Sequence, residues 1–369
     1  MTINNEHKKL NVPNLRFKEF QGEWEKCILG DYGKVVTGNT PPTKDIENYE
    51  NGTYLWASPA DLSTIKLISE TKTKLSSKGF SKTRALPKGS VLVTCIGSTI
   101  GKTGMATKEM STNQQINSIV VNDNNDNEFV YYAIQSAFPR YLSSIAVQAV
   151  PIISKSAFEM LPNKRPCLQE QKKIGKFLSL LDERIATQNK IIDKLQSLIK
   201  GIAYKLFQTA RTTKPLLEFA PNITSGTDKS GSGTIPLYGS TGIIGTVKNA
   251  SQKGNIVLVA RVGTIGTVQY VNEPCGVSDN ALIVEAGEMT KYIYHFLKTY
   301  NFARITSGTT QPLITASSLK KAAIPTYDIE SQTRIVLCLN GLEKKLDIAK
   351  QYLSEIAVMK QYLLRQMFI

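Results

Sequence analysis

The chain has 369 residues, with 45 Lys and Arg against 30 Asp and Glu and a formal charge of +15. That balance points to a polyanionic partner, most simply nucleic acid, and the length suits two or three domains. The opening MTINNEHKKLNVPN lacks an apolar h-region and no apolar run approaches the ~18 residues of a membrane span, so a cytoplasmic protein is expected, with neither a secretory leader nor a transmembrane helix.

Residues 1–22 read as an arm, with Leu15, Phe17, Phe20 and the following Trp24 placed to pin it down. Residues 23–166 form a first mixed domain in which β signals dominate. A short strand over 30–38 enters a loop where Thr40-Pro41-Pro42 blocks helix. Tyr54 and Trp56 alternate in a strand over 53–58. The run SVLVTCI over 90–96 is a buried strand ending in a glycine-rich loop, 97–104. A further strand is predicted over 116–121, and Phe129, Ala133 and Ile134 give 128–142 helical spacing.

Residues 167–211 hold the first of two long helices. Ile174, Leu178, Leu181, Ile185, Ile192, Leu195, Ile199, Ile202 and Leu206 step by fours and threes, a heptad seam interrupted only by the polar Gln188. Residues 327–369 repeat it without a gap, Ile174 falling on Ile335. The second seam runs Ile335, Leu339, Leu342, Leu346, Leu353, Ile356, Leu363 and Met367; Lys360 breaks it, and Met359 beside it is the expected substitute. At roughly 1.5 Å per residue, a helix of this length spans about 58 Å. Each seam needs a partner, and the other copy is the expected one.

Between the helices, residues 212–326 repeat the first domain loosely. Residues 88–93 match 253–258, Gly97 to Gly101 matches Gly263 to Gly266, and Asn117 matches Asn280. Phe129-Val130-Tyr131-Tyr132 matches Tyr292-Ile293-Tyr294-His295, and Pro151 to Ser154 matches Pro312 to Thr315. The fold class is therefore α+β: two mixed domains and two long coiled-coil helices in an internal tandem repeat. Like helices share a structural job, while unlike domains on one scaffold do parallel jobs on different targets.

Catalytic signals are weak. Cys27, Cys95, Cys167, Cys275 and Cys338 are scattered without a C-x-x-C pair, and His7 and His295 are the two histidines. No disulfide framework, metal site or histidine-based catalytic residue is expected. The stretch Gly97-Ser98-Thr99-Ile100-Gly101-Lys102-Thr103 imitates a phosphate-binding loop, but Ile96 stands where the first glycine is required, no helical pattern follows, and its counterpart Gly263-Thr264-Ile265-Gly266-Thr267 has no lysine. A tight turn between strands fits better.

The tandem plan, the opening Gln169-Glu170-Gln171-Lys172-Lys173-Ile174 of the first helix, and Ile235-Pro236-Leu237-Tyr238-Gly239-Ser240-Thr241-Gly242-Ile243-Ile244-Gly245 with Asp279-Asn280-Ala281-Leu282 in the second domain together resemble the specificity (S) subunit of type I restriction–modification systems. The second helix departs from that opening, with Ser331 where the first has Glu170. The resemblance implies that each mixed domain is a target-recognition domain reading one half of a split double-stranded DNA target. The long helices, as conserved regions, are implied to pair antiparallel as the spacer between the two domains, which makes the internal repeat pseudo-two-fold. The chain recruits two methylation subunits, which use S-adenosylmethionine to methylate adenine, and restriction subunits, which use ATP and Mg. The chain itself is implied to be non-catalytic and to hold no cofactor. A stand-alone coiled-coil DNA-binding regulator or scaffold without restriction partners is the alternative.

For base reading, side chains with paired donors and acceptors are the candidates. In the first domain these are Lys102, Lys108, Asn113, Gln114, Gln115 and Gln148; in the second, Lys248, Arg261, Thr264, Thr309, Thr310 and Gln311. The lysines suit phosphate and the amides suit base edges. Asn117 and Asn280 are expected to fix turns, and Tyr131 and Tyr294 to lie in the core.

Overall fold

A computed structural model of the protein describes residues 11–62, 66–144, 152–308 and 312–369. It divides into two compact units, one of residues 1–188 with 352–369 and one of 189–351.

The first unit contains β1 (Glu25–Ile28), β2 (Gly33–Thr37), β3 (Tyr54–Ala57), β4 (Leu67–Ile68), β5 (Thr73–Leu75), α1 (Ser77–Ser81), β6 (Val91–Thr94), β7 (Thr103–Ala106), β8 (Ser111–Thr112), β9 (Ile116–Val121), α2 (Asn127–Ser144), α3 (Lys155–Glu159) and β10 (Pro162–Arg165). A five-stranded sheet runs β2-β9-β6-β7-β4, and a three-stranded sheet runs β5-β3-β8. β6 explains the packing. Its four residues are all buried, and alternate side chains point to opposite faces. Val91 and Val93 join a core with Trp24 and the α2 residues Phe129, Val130 and Ile134. Leu92 joins a second core with Leu55, Leu62 and Ile68. A strand covered on both faces reads as an unbroken apolar run, each side chain contributing about 1.5–3 kcal/mol on burial.

α4 (Leu168–Gln208) is 41 residues long. The second unit then repeats the pattern with β11 (Thr212–Pro215), β12 (Thr224–Ser225), β13 (Ile235–Tyr238), β14 (Ile243–Val247), β15 (Ile256–Ala260), β16 (Val268–Val271), β17 (Gly276–Val277), β18 (Ala281–Val284), α5 (Thr290–Leu297), β19 (Thr306–Ser307), β20 (Leu313–Ile314), α6 (Ala316–Lys320) and β21 (Ala323–Thr326). Its main sheet runs β12-β18-β15-β16. β15 plays the part of β6: Val257 and Val259 face a core with Tyr292 and Ile293, while Ile256 and Leu258 face another with Val271 and Val277. α7 (Ile329–Met367) closes the chain with 39 residues.

The long helices are antiparallel within each unit. In the first, Ile174 and Leu178 of α4 share a core with Leu363, Leu364, Met367 and Phe368. Further along α4, Asp182 meets Lys360 and Arg184 meets Tyr352, so one helix ascends as the other descends. In the second, Ala203 and Phe207 share a core with Ile335 and Leu339. The seam residues are covered to different degrees. Ile174, Leu178, Ile192, Ile335, Leu339, Ile356, Leu363 and Met367 are buried; Leu181, Ile185, Leu195, Ile202, Leu206, Leu342, Leu346 and Leu353 are half-buried.

Two details correct the sequence reading. Met359 does not replace Lys360 on the seam: Met359 is 54% exposed, whereas Lys360 turns inward to Asp182 and over the Tyr132 ring. Heptad phase fixes position 360 on the seam, and a paired charge is tolerated there. Leu15 does not pin the arm through its side chain, which is 42% exposed. Arg16 does that work, donating from Nε and Nη2 to the Glu170 carboxylate at 2.8 and 2.7 Å. Phe17 packs edge-on against Phe177, and Trp24 against Phe129 and Phe368.

The helix openings follow from their glutamines. Gln171 Nε2 donates to Asn125 Oδ1 and to the Pro166 carbonyl, and Gln332 Nε2 donates to the Tyr327 carbonyl, tying each helix to the strand before it. Ser331, matching Glu170, has no arginine to meet and hydrogen-bonds Asp328 at 3.0 Å.

Candidate nucleic-acid interface

In the first unit the loops at the carboxyl end of β6 converge through backbone hydrogen bonds. Thr94 N donates to Lys102 O and Gly101 N to Thr94 O, both at 2.9 Å, closing the 97–101 turn. Cys95 N donates to Gln115 O at 2.8 Å, and Ile153 N donates to Cys95 O at 2.8 Å. Asn113 N donates to Ala57 O, and Asn39 N to Thr112 O, at 2.9 Å each. One face thus gathers residues 38–40, 57–58, 97–102, 113–115 and 152–153. No helix follows the glycine-rich turn; β7 does, paired antiparallel with β6. Gly101 has φ +91°, and a Cβ there would sit 2.5 Å from Phe138 Cδ1 on α2. Sterics therefore require glycine at this corner.

The second unit builds the same face by the same bonds. Ala260 N donates to Thr267 O, Arg261 N to Asn280 O and Ile314 N to Arg261 O, at 2.9–3.0 Å. Ser278 N donates to Tyr238 O at 2.9 Å. Gly266, at φ +79°, lies against Phe302 as Gly101 lies against Phe138. Gln269 Nε2 reaches Gly239 O at 2.9 Å, and Thr264 Oγ1 reaches Ser240 O at 3.3 Å, joining the 263–266 turn to the 238–242 hairpin.

The candidate side chains divide accordingly. Lys102, Asn113, Gln114 and Gln115 come together on the first face. Gln114 and Lys102 are exposed, Gln115 is half-buried and Asn113 is buried. The Thr40 hydroxyl donates to Gln114 Oε1 at 2.5 Å, and Asn113 Nδ2 donates to Gln115 Oε1 at 3.0 Å, so the amides are pre-oriented. Lys108 is not with them: it follows β7, at the end of that strand remote from the turn, and its charge lies near Glu70. On the second face Arg261 and Thr264 share one turn. Lys248 follows β14 at the end of the hairpin opposite Tyr238, where Val247 pairs with Ile235. In an antiparallel hairpin, following a strand does not say which end of the sheet a residue reaches. Gln148, Thr309, Thr310 and Gln311 lie outside the described residues.

The family model described as "Type I restriction modification DNA specificity domain" matches residues 21–197 and 216–358. The chain belongs to this family. The MjaIX type I restriction enzyme specificity subunit of Methanocaldococcus jannaschii is 30% identical over 182 residues, covering 47% of this chain and 42% of the relative. The HindI specificity subunit of Haemophilus influenzae is 29% identical over 187 residues, covering 48% of this chain and 40% of the relative. The chain thus aligns with less than half the length of each relative. Among solved structures, the type I restriction–modification S subunit of M. genitalium has a TM-score of 0.68 at 20% identity, over 97% of this chain and 99% of that one. A chain from a structure of type I R-M complex assembly and conformational transition has a TM-score of 0.58 at 16% identity, over 92% and 96%. At these identities the likeness is one of fold.

Within this specificity-domain fold, the internal alignment needs two corrections. The strand part of the match of 88–93 with 253–258 moves by one residue, Val91 and Val93 falling on Val257 and Val259, because Thr94 and Ala260 each close the glycine turn. Asn280 aligns with Gln115, not Asn117, because Thr94 pairs with Ile116 and Ala260 with Ala281. A two-residue slip keeps side chains on the same face, so the sequence pattern did not reveal it. Asn117 accepts from Thr37 Oγ1 at 2.6 Å within strand β9 rather than in a turn, whereas Asn280 stands in the turn before β18, exposed beside Arg261. Tyr131 is buried; Tyr294 is only half-buried and bonds Glu343.

Three residues that shape this face are not among the sequence candidates: Thr40, Arg84 and Trp56. Arg84 donates to Thr37 O at 2.6 Å and Trp56 Nε1 to Asn39 O at 3.1 Å, fixing the 37–40 loop at the edge of the first face. Only a fold-level contact reveals them, because Arg84 is distant in sequence from the loop it holds. Cys95 lies beneath this face, and burial pushes its thiol up to about 12. It is a packing group, not a nucleophile.

Proposed function

We propose that this chain is the DNA sequence-recognition subunit of a type I restriction–modification complex, itself non-catalytic, and that it reads a bipartite duplex with one face per unit. The observation carrying this is the pair of loop faces: the backbone bonds are the same, but the side chains they present differ, Asn113, Gln114 and Gln115 on one and Arg261, Thr264 and Asn280 on the other. A shared scaffold with unlike side chains suits two unlike base sequences. Lys102 neutralises phosphate, while the amides and Arg261 address base edges.

The long helices are the spacer between the readers and the docking surface for the methylation subunits. Leu180, Ile191, Leu198, Ile348, Val358 and Tyr362 are large apolar side chains exposed on α4 and α7, of a kind that partner surfaces cover. Lys200 and Lys350 line a cavity of about 340 Å³ in the second unit with Ile199 and Leu346. S-adenosylmethionine then belongs to the methylation subunits, and ATP and Mg to the restriction subunits.

Purified chain incubated with DNA and labelled S-adenosylmethionine is expected to transfer nothing, and transfer is expected once methylation subunits are added. Transfer by the chain alone would overturn the non-catalytic assignment. A sequence-specific complex with DNA that never binds a methylation subunit would favour the stand-alone regulator.

A further inference from the structure

Hydrogen bonding superposes the two faces residue by residue. Thr94 and Ala260 each close the glycine turn, through Lys102 O and Thr267 O. The next residue is therefore one structural position in both units: Cys95 in the first, Arg261 in the second. Each donates its N–H into the opposite loop, to Gln115 O or Asn280 O, and each accepts from the isoleucine just before a short helix, Ile153 before α3 or Ile314 before α6. The side chains are opposite in kind. Cys95 is in the core, 1% exposed. Arg261 is part-exposed, with no side-chain hydrogen bond or ion pair among the described residues, and its Nε is buried without an acceptor.

Nε is closed to a ligand, but the terminal Nη groups are open to solvent and hold no partner, so a ligand with two acceptors gains both bonds without breaking one inside the protein. The surroundings leave room for it. A Cβ at Gly263 would meet nothing nearer than Ser240 Oγ at 3.9 Å, and Thr264 and Asn280 beside it are exposed.

We propose that Arg261 reads a guanine in the half-site contacted by the second unit. This rests on the specificity-subunit assignment and deepens it. In the major groove guanine offers two adjacent acceptors, O6 and N7, which a guanidinium fork matches with two parallel N–H donors. Adenine offers an acceptor beside a donor and cannot accept both. The first unit has no arginine at this position, and its exposed Gln114 and half-buried Gln115 suit adenine. The guanine requirement imposed at this position therefore belongs to one half-site only.

The test uses the full chain with its methylation subunits, on the duplex target that methylome sequencing of the wild type defines. Arg261→Gln is expected to weaken binding to that duplex about ten- to a hundredfold and to relax the methylated motif at one guanine of one half-site. Lys102→Ala is expected to weaken all sequences alike. A second arm leaves the protein intact and replaces each guanine of the target in turn by 7-deazaguanine, which lacks the N7 acceptor. One replacement is expected to weaken wild-type binding at least about tenfold, and to add nothing further in Arg261→Gln. The inference is overturned if Arg261→Gln keeps the wild-type motif and affinity, if it relaxes a position other than a guanine, or if no 7-deazaguanine replacement weakens binding. A wild type that methylates no bipartite motif would instead remove the specificity-subunit assignment, and this inference with it.

Discussion

Lys360 of α7 pairs with Asp182 of α4 from a seam position where an apolar side chain is the rule. Lys66 reaches the same carboxylate at 4.0 Å and Glu128 at 2.7 Å, and the Tyr132 hydroxyl donates to Asp182. Two ammonium groups share one carboxylate, and the Tyr132 ring lies under both, 5.4 and 5.5 Å from its centroid. In the second unit the matching carboxylate, Glu343, takes Lys298 and lies 3.9 Å from His295 Nδ1. α2 and α5 are therefore each locked to the long helices by a polar node at the same place, built from different residues.

The first node predicts an asymmetry between its members. Asp182→Ala leaves Lys66 and Lys360, 6% and 12% exposed at their side chains, with too little negative charge. It is expected to cost about 3 kcal/mol. Lys360→Met restores an apolar seam while Asp182 keeps Lys66 and Tyr132, and is expected to cost about 1 kcal/mol or less. Urea denaturation measures both. Equal losses would mean that the node is not organised around Asp182.

The arm's anchor gives a double-mutant test. Glu170 is 1% exposed at its side chain and is paired with Arg16. Arg16→Ala leaves a buried carboxylate uncompensated and is expected to cost about 3 kcal/mol. Glu170→Ser, the residue the second helix carries at this place, is expected to recover at least about 1 kcal/mol in the Arg16→Ala background. Hydrogen exchange over 168–178 reads the local effect. Additive losses would show that the two residues act independently.

The second node predicts a pH dependence. Burial pushes the His295 imidazole below its ordinary 6.5; Lys298 and Lys291 add to this, and the Asn340 bond and the Glu343 carboxylate oppose it. The unfolded chain then binds a proton that the folded site binds less readily, so stability rises with pH. From this residue the stability is complete above about 6.5 and declines as pH falls below it. Wild-type urea midpoints at pH 7, 6 and 5 are expected to drop more steeply than those of His295→Gln. Parallel slopes would remove His295 from the node's titration.

If helix length sets the gap between half-sites, four residues added to each long helix extend it by roughly 6 Å. At ~3.4 Å per base pair, the non-specific gap in the methylated motif is expected to grow by about two base pairs. An unchanged gap would show that something other than helix length sets it.

Much of this was legible in the sequence, for identifiable reasons. Heptad seams and the unbroken SVLVTCI run are strong periodic signals, and they became α4, α7 and β6. The candidate face was legible only where candidates clustered locally, as Asn113, Gln114 and Gln115 do. Lys108 and Lys248 lie away from these faces, because polarity and proximity to a strand do not encode the end of a sheet. Asn280 was set against Asn117 because a slip of two residues preserves a strand's pattern. Lys360 and Arg16 were missed as anchors because their partners, Asp182 and Glu170, are remote in sequence.

The most direct test of the central claim is single-molecule methylome sequencing of a host expressing this chain with its methylation subunits, compared with the same host lacking the chain. A new methyladenine motif is expected, made of two short defined sequences separated by a fixed run of unspecified bases. No new motif, or a single uninterrupted one, would contradict the proposal that two faces on one chain read a divided target.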